Sequence, residues 1–223
     1  MSKVRKLGVA AGVLGPLGLL LLIGSVVGLW TGYHGSTVRS DSMAPTYEEG
    51  QQLVYERVDG TRVRRGDVVL FTAPERYGFD GPVMERVIGV GGDHLVCCTG
   101  EGARERLTVN GKPLDERYVA DGIADGLHRP YDVKVPKGRL FLLGDHRLNA
   151  RDSRFFADDH GGTVPVGSVR GRVTGDYTAP VLLGVGALVG ILAGLTGLGL
   201  GIAALALRRP KPVPVRPPWM AQV

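Results

Sequence analysis

Cysteine is almost missing from this chain of 223 residues: Cys97 and Cys98 are the only two, and they are adjacent. Neighbouring side chains on a strand point to opposite faces, and a bridge between neighbours closes a tight ring, so the pair reads as one buried and one exposed thiol. No metal site is expected from them, because metal-binding cysteines come as spaced sets with further ligands. Acidic residues are missing from both ends. Residues 1–30 carry Lys3, Arg5 and Lys6 with no acid, and residues 179–223 carry Arg208, Arg209, Lys211 and Arg216 with none. The formal net charge of +5 therefore belongs to the ends, since residues 31–178 hold 20 basic against 22 acidic residues. A middle of slightly negative charge argues against a nucleic-acid partner, which would require a basic face on the folded domain.

Charge of either sign is absent from two long runs. Leu7 to Trp30 is 24 residues and Ala179 to Leu207 is 29. Either would cross a hydrocarbon core of about 30 Å at about 1.5 Å per residue. The first lacks a convincing small-x-small exit at Val27-Gly28-Leu29-Trp30 and is too long for an ordinary signal-peptide core, so it reads as an uncleaved anchor. Cations flank both runs on their terminal sides, which places both termini in the cytoplasm and the middle outside it. The chain thus divides into a cytoplasmic N-terminus with a transmembrane helix (1–30), an extracytoplasmic domain (31–178), a second transmembrane helix (179–207) and a basic, Pro-rich cytoplasmic tail (208–223). That tail, with Pro210, Pro212, Pro214, Pro217 and Pro218, is expected to be extended.

Within 31–178 there is no long 3.6-residue periodicity. Short β-branched runs instead lie between turn residues: Gln52–Tyr55, Asp67–Phe71, Arg86–Val90, Leu107–Val109, Leu140–Leu143 and Val169–Val173. Asn110-Gly111 after Leu107-Thr108-Val109 predicts a two-residue hairpin turn, which needs positive φ at both positions. The middle domain is therefore mainly β.

Ser40-Asp41-Ser42-Met43-Ala44-Pro45-Thr46 starts ten residues after the first apolar run. Arg65-Gly66-Asp67-Val68-Val69-Leu70-Phe71, Glu85-Arg86-Val87-Ile88-Gly89-Val90-Gly91-Gly92-Asp93 and Gly144-Asp145-His146-Arg147-Leu148-Asn149-Ala150-Arg151-Asp152-Ser153-Arg154 follow in order. In these four motifs, with the Asn110-Gly111-Lys112-Pro113 hairpin and Gly171-Arg172-Val173, residues 36 to about 175 resemble the type I signal peptidases. The resemblance implies a β-rich catalytic domain on a membrane anchor and a serine endopeptidase that removes signal peptides from translocated precursors. It implies small residues such as Ala one and three positions before the cleaved bond, and no cofactor. Ser42 falls at the nucleophile position. Ser40 falls at the position whose hydroxyl, with the Ser42 backbone N–H, forms the oxyanion hole. Asp145, Arg147, Asp152, Arg154 and Arg86 fall at positions of structural support.

A lysine is what the site lacks. The family's general base stands immediately before Arg-Val-Ile-Gly, where this chain has Glu85, and the serine that hydrogen-bonds that lysine is Ala150 here. Serine is a poor nucleophile until a base takes its proton. Three readings follow. Glu85 is the base, its carboxyl pKa raised by burial; His146 substitutes as base; or the chain is a catalytically inactive homologue acting as a membrane-tethered binding or scaffold protein.

Overall fold

The computed structural model describes residues 3–100, 105–127 and 130–208. The described residues form three helices, α1 (Lys3–Gly32), α2 (Pro74–Tyr77) and α3 (Thr178–Arg208). They also form the strands β1 (Tyr33–Thr37), β2 (Gln52–Glu56), β3 (Val68–Phe71), β4 (Val83–Val90), β5 (His94–Thr99), β6 (Arg106–Val109), β7 (Lys112–Pro113), β8 (Tyr131–Lys134), β9 (Arg139–Leu143), β10 (Val164–Pro165) and β11 (Val169–Val173). Two compact units separate: the terminal segments to Trp30 and from Thr178, and the stretch Thr31–Tyr177. The tail beyond 208 lies outside the described residues.

In the helical unit, α1 and α3 are each long and apolar enough to cross a membrane. They run antiparallel: Gly8 approaches Arg208, Ala11 approaches Gly201 and Gly28 approaches Leu183. A Cβ on Gly18 would lie 2.6 Å from the Gly194 nitrogen, and one on Gly190 would lie 2.7 Å from the Gly18 oxygen. Only glycine permits that backbone contact, the usual way apolar helices pack where no hydrophobic effect drives them together.

The β unit holds a seven-stranded antiparallel sheet, ordered β1-β2-β11-β3-β4-β9-β10, and a four-stranded one, ordered β7-β6-β5-β8. Strand side chains alternate between faces. On β9, Leu140 and Leu142 enter one core with Val69, Phe71 and Val87, while Phe141 and Leu143 enter another with Ile88, Leu95 and Leu107. β4 is divided in the same way by Val87 and Ile88. The preceding pair, Glu85 and Arg86, is thereby carried into opposite faces of a central strand, and both are buried. Asn110 and Gly111 have φ of 53° and 76° and join β6 to β7 as the sequence predicts.

The six expected strands coincide with β2, β3, β4, β6, β9 and β11, with ends shifted by a few residues. β1, β5, β8 and β10 lie outside the expected set, and β7 enters it only as the second arm of the Asn110-Gly111 hairpin. The reading of Cys97 and Cys98 as two free thiols is corrected: they form a disulfide in β5, beside a register shift between Val96 and Thr99. Burial still alternates along β5, with Cys97 buried and Cys98 half-buried; what the reading missed is the bond between the two neighbouring sulfurs.

Candidate active site

Ser42 sits in a turn after β1. Its neighbour Met43 is fully buried, which plugs the turn into the domain and leaves Ser42 half-buried. The Ala44 N–H donates to the Asp41 carbonyl (2.9 Å) and the Tyr47 N–H to the Met43 carbonyl (3.0 Å). The Ser40 and Ser42 hydroxyl oxygens are 3.0 Å apart.

Three contacts fasten this turn to the segment after β9. The His146 N–H donates to the Ser42 carbonyl (2.9 Å), Asn149 Nδ2 to the Asp41 carboxylate (2.6 Å) and the Thr46 hydroxyl to Asp145 Oδ2 (2.5 Å). Gly144 permits the approach, since a Cβ there would meet the Ala150 methyl and come 2.7 Å from the Ser42 carbonyl oxygen.

Beneath the segment lies a set of buried ion pairs. Arg86 donates to both Asp145 oxygens (Nε 2.8 Å, Nη2 2.5 Å) and to the Gly66 carbonyl (2.9 Å), and stacks over Tyr118. Arg147 is paired with Glu116 at 2.5 Å and also donates to the carbonyls of Ala124 and Gly144. Arg154 pairs with Asp152 at 2.7 Å and Asp125 at 2.8 Å. Asp152 in turn accepts from the Gly144 N–H at 3.1 Å. Each buried charge has a partner, the condition on which such groups are tolerated.

A cleft of about 800 Å³ opens beside the serines, and Ser40, Ser42, Tyr77, Phe79, Glu85 and Arg151 line it. Glu85 is 2% exposed. The Tyr77 hydroxyl is 3.0 Å from Glu85 Oε1, and Oε2 is buried with no partner. Burial first and the Asp152 charge second push the Glu85 carboxyl well above the usual range, against the Tyr77 hydrogen bond and the more distant Arg154 and Arg76. A buried carboxylate oxygen without a donor is costly, which favours the neutral acid.

His146 lies behind Asp41, one of the cleft's lining residues. Its Nδ1 is 3.3 Å from the Asp41 carboxylate, too poorly aligned for a hydrogen bond, and its ring is not among the cleft's walls. Ala150 is buried under Gly144. Ser40, Ser42 and Glu85 are thus brought to one cleft, while Asp145, Arg147, Asp152, Arg154 and Arg86 form the ion pairs behind it.

Tyr77 is absent from the sequence-based set. Pro74 at the first helical position and Gly78 just beyond the last signal a short helix, but no local pattern says that Tyr77 meets Glu85. Arg76 fixes that helix, donating to the Asp159 carboxylate (2.7 Å) and to the carbonyls of Gly162 and Thr163 (2.7 Å each). The His160 ring and the Arg76 guanidinium hold the Asp159 carboxyl down to about 2.

Residues 13–177 match the model of the family described as signal peptidase, peptidase S26, and the chain belongs to that family. A signal peptidase I of Bacillus caldolyticus is 33% identical over 158 residues, covering 65% of this chain and 79% of the relative. A signal peptidase I of Leptolyngbya laminosa is 32% identical over 147 residues, covering 60% and 64%. A solved structure of a signal peptidase I from Enterococcus faecalis V583 is 26% identical, covering 51% of this chain and 97% of that one, with a TM-score of 0.38. The family assignment rests on the sequence match.

Proposed function

We propose that this chain is a membrane-bound serine endopeptidase that removes signal peptides from translocated precursor proteins, with Ser42 as nucleophile. The observation that carries the reading is the pair of serine hydroxyls, 3.0 Å apart, at a cleft that also holds Glu85. Ser42 Oγ would attack the scissile carbonyl carbon. The Ser40 hydroxyl and the Ser42 N–H would donate to the oxygen that becomes negative, and Glu85 occupies the position of the general base. Cations flanking both apolar helices support a cytoplasmic-membrane location, with the β domain on the extracytoplasmic side.

The test is cleavage of a preprotein by the full chain in detergent. We expect product from the parent and none from Ser42→Ala. A silent parent together with cleavage by Glu85→Lys would overturn the active reading and identify a disarmed homologue.

A further inference from the structure

The Tyr77 hydroxyl is 3.0 Å from Glu85 Oε1 and 3.0 Å from the Arg151 carbonyl oxygen. It has one proton, and a carbonyl only accepts. Both contacts are hydrogen bonds at once only if the carboxyl supplies the second proton. We propose that Tyr77 is a positioning residue for Glu85: its hydroxyl accepts from the neutral acid while donating to Arg151, and turns to donate to the carboxylate once the acid ionises.

The ring itself is held in place. Phe71 and Phe156 meet it edge-on at 6.1 and 5.6 Å, and Arg76 ties down its helix, so the hydroxyl torsion is the remaining freedom. Burial and the Glu85 charge raise the phenol's own pKa, which keeps its proton in place. Among the described residues, no donor other than Tyr77 is hydrogen-bonded to Glu85 in the free chain. From β3, the residue opposite is Val69. Arg76 is committed to Asp159 and two carbonyls, and Arg154 to Asp152 and Asp125. Asp152 adds negative charge.

The consequence for catalysis rests on the peptidase reading. Were Glu85 the base, it would have to be ionised to take the Ser42 proton as the Oγ–carbon bond forms, and would return that proton to the leaving amine as the peptide C–N bond breaks; in the free chain the Ser42 hydroxyl is hydrogen-bonded to Ser40 and not to Glu85. Infrared titration of the full chain in detergent tests the proposal without relying on cleavage. Above the ordinary carboxylate range we expect the carbonyl stretch of a protonated carboxylic acid to persist, missing in Glu85→Gln and lost as pH is raised further. In Tyr77→Phe, which removes both the acid's acceptor and the carboxylate's donor, its midpoint should move up by about one pH unit, since the bond to the charged form is the stronger of the two. Fluorotyrosine at position 77, a stronger donor of nearly the same shape, should move it down. A Glu85 band that vanishes within the ordinary carboxylate range, or midpoints that ignore both changes, would overturn the proposal. An intact band without preprotein cleavage would instead remove the peptidase reading and leave the role of Tyr77 standing.

Discussion

Glu85 is a buried carboxyl on a central strand, with one oxygen hydrogen-bonded to Tyr77 and the other without a partner. A carboxyl with a raised native pKa holds its proton at pH values where the unfolded chain has released it, so stability falls as pH rises from the ordinary carboxylate range through the raised value. The stabilisation is fully present below that ordinary range. Urea unfolding across pH should show a decline approaching about 1.4 kcal/mol per pH unit within the window, and Glu85→Gln should abolish it. Ser40 makes a separate prediction under the peptidase reading. Loss of one oxyanion donor typically lowers kcat about 100-fold or more, so Ser40→Ala should retain a weak, measurable cleavage that Ser42→Ala lacks. The serines and Glu85 are legible in the sequence because each lies inside a contiguous motif. Tyr77 is not, because its meaning arises from a helix folded over β4, and no spacing along the chain encodes that contact.

Among the elements, the segment Gly144–Arg154 does the most to fix the site, tying the serine turn to the ion pairs. Asp145 accepts from Thr46 on one side and Arg86 on the other. Asp145→Ala would strand a buried guanidinium, and denaturant unfolding should report a loss of about 3–5 kcal/mol. Gly144→Ala tests the close approach: a methyl there meets Ala150 and the Ser42 carbonyl. We expect a loss of stability of about 1–3 kcal/mol together with a larger proportional loss of cleavage. The strands read from sequence are those with apolar runs buried on one or both faces, such as β3 and β9. β8 escapes because its burial alternates over only Tyr131-Asp132-Val133-Lys134, and β10 is two residues long. β1, with Tyr33-His34-Gly35-Ser36-Thr37, carries no apolar run at all. Its place is fixed by pairing with β2.

For the molecule as a whole, the two apolar helices were legible from length and absence of charge, but their contact was not. Gly-rich composition permits many registers, and the observed one depends on Gly18 meeting Gly190 and Gly194. A Cβ on Gly201 would lie 3.7 Å from the Ala11 Cβ, within the span a disulfide bridges. Ala11→Cys with Gly201→Cys should therefore cross-link under oxidation in membranes, and adding Gly18→Leu should reduce the yield.

One detail of the large sheet reaches further. Tyr33 pairs with Glu56, and Glu56 pairs with Arg172, so the first and last strands of the β domain flank β2 at the same level, about 10 Å apart by two strand spacings. A domain whose two ends emerge side by side is an insertion cassette. A short linker between residues 33 and 173 would make it circular without sacrificing a single strand pairing, and new termini opened at the Asn110-Gly111 turn would yield a permuted version in which the Gly144–Arg154 segment precedes the serine turn and reaches it through the linker.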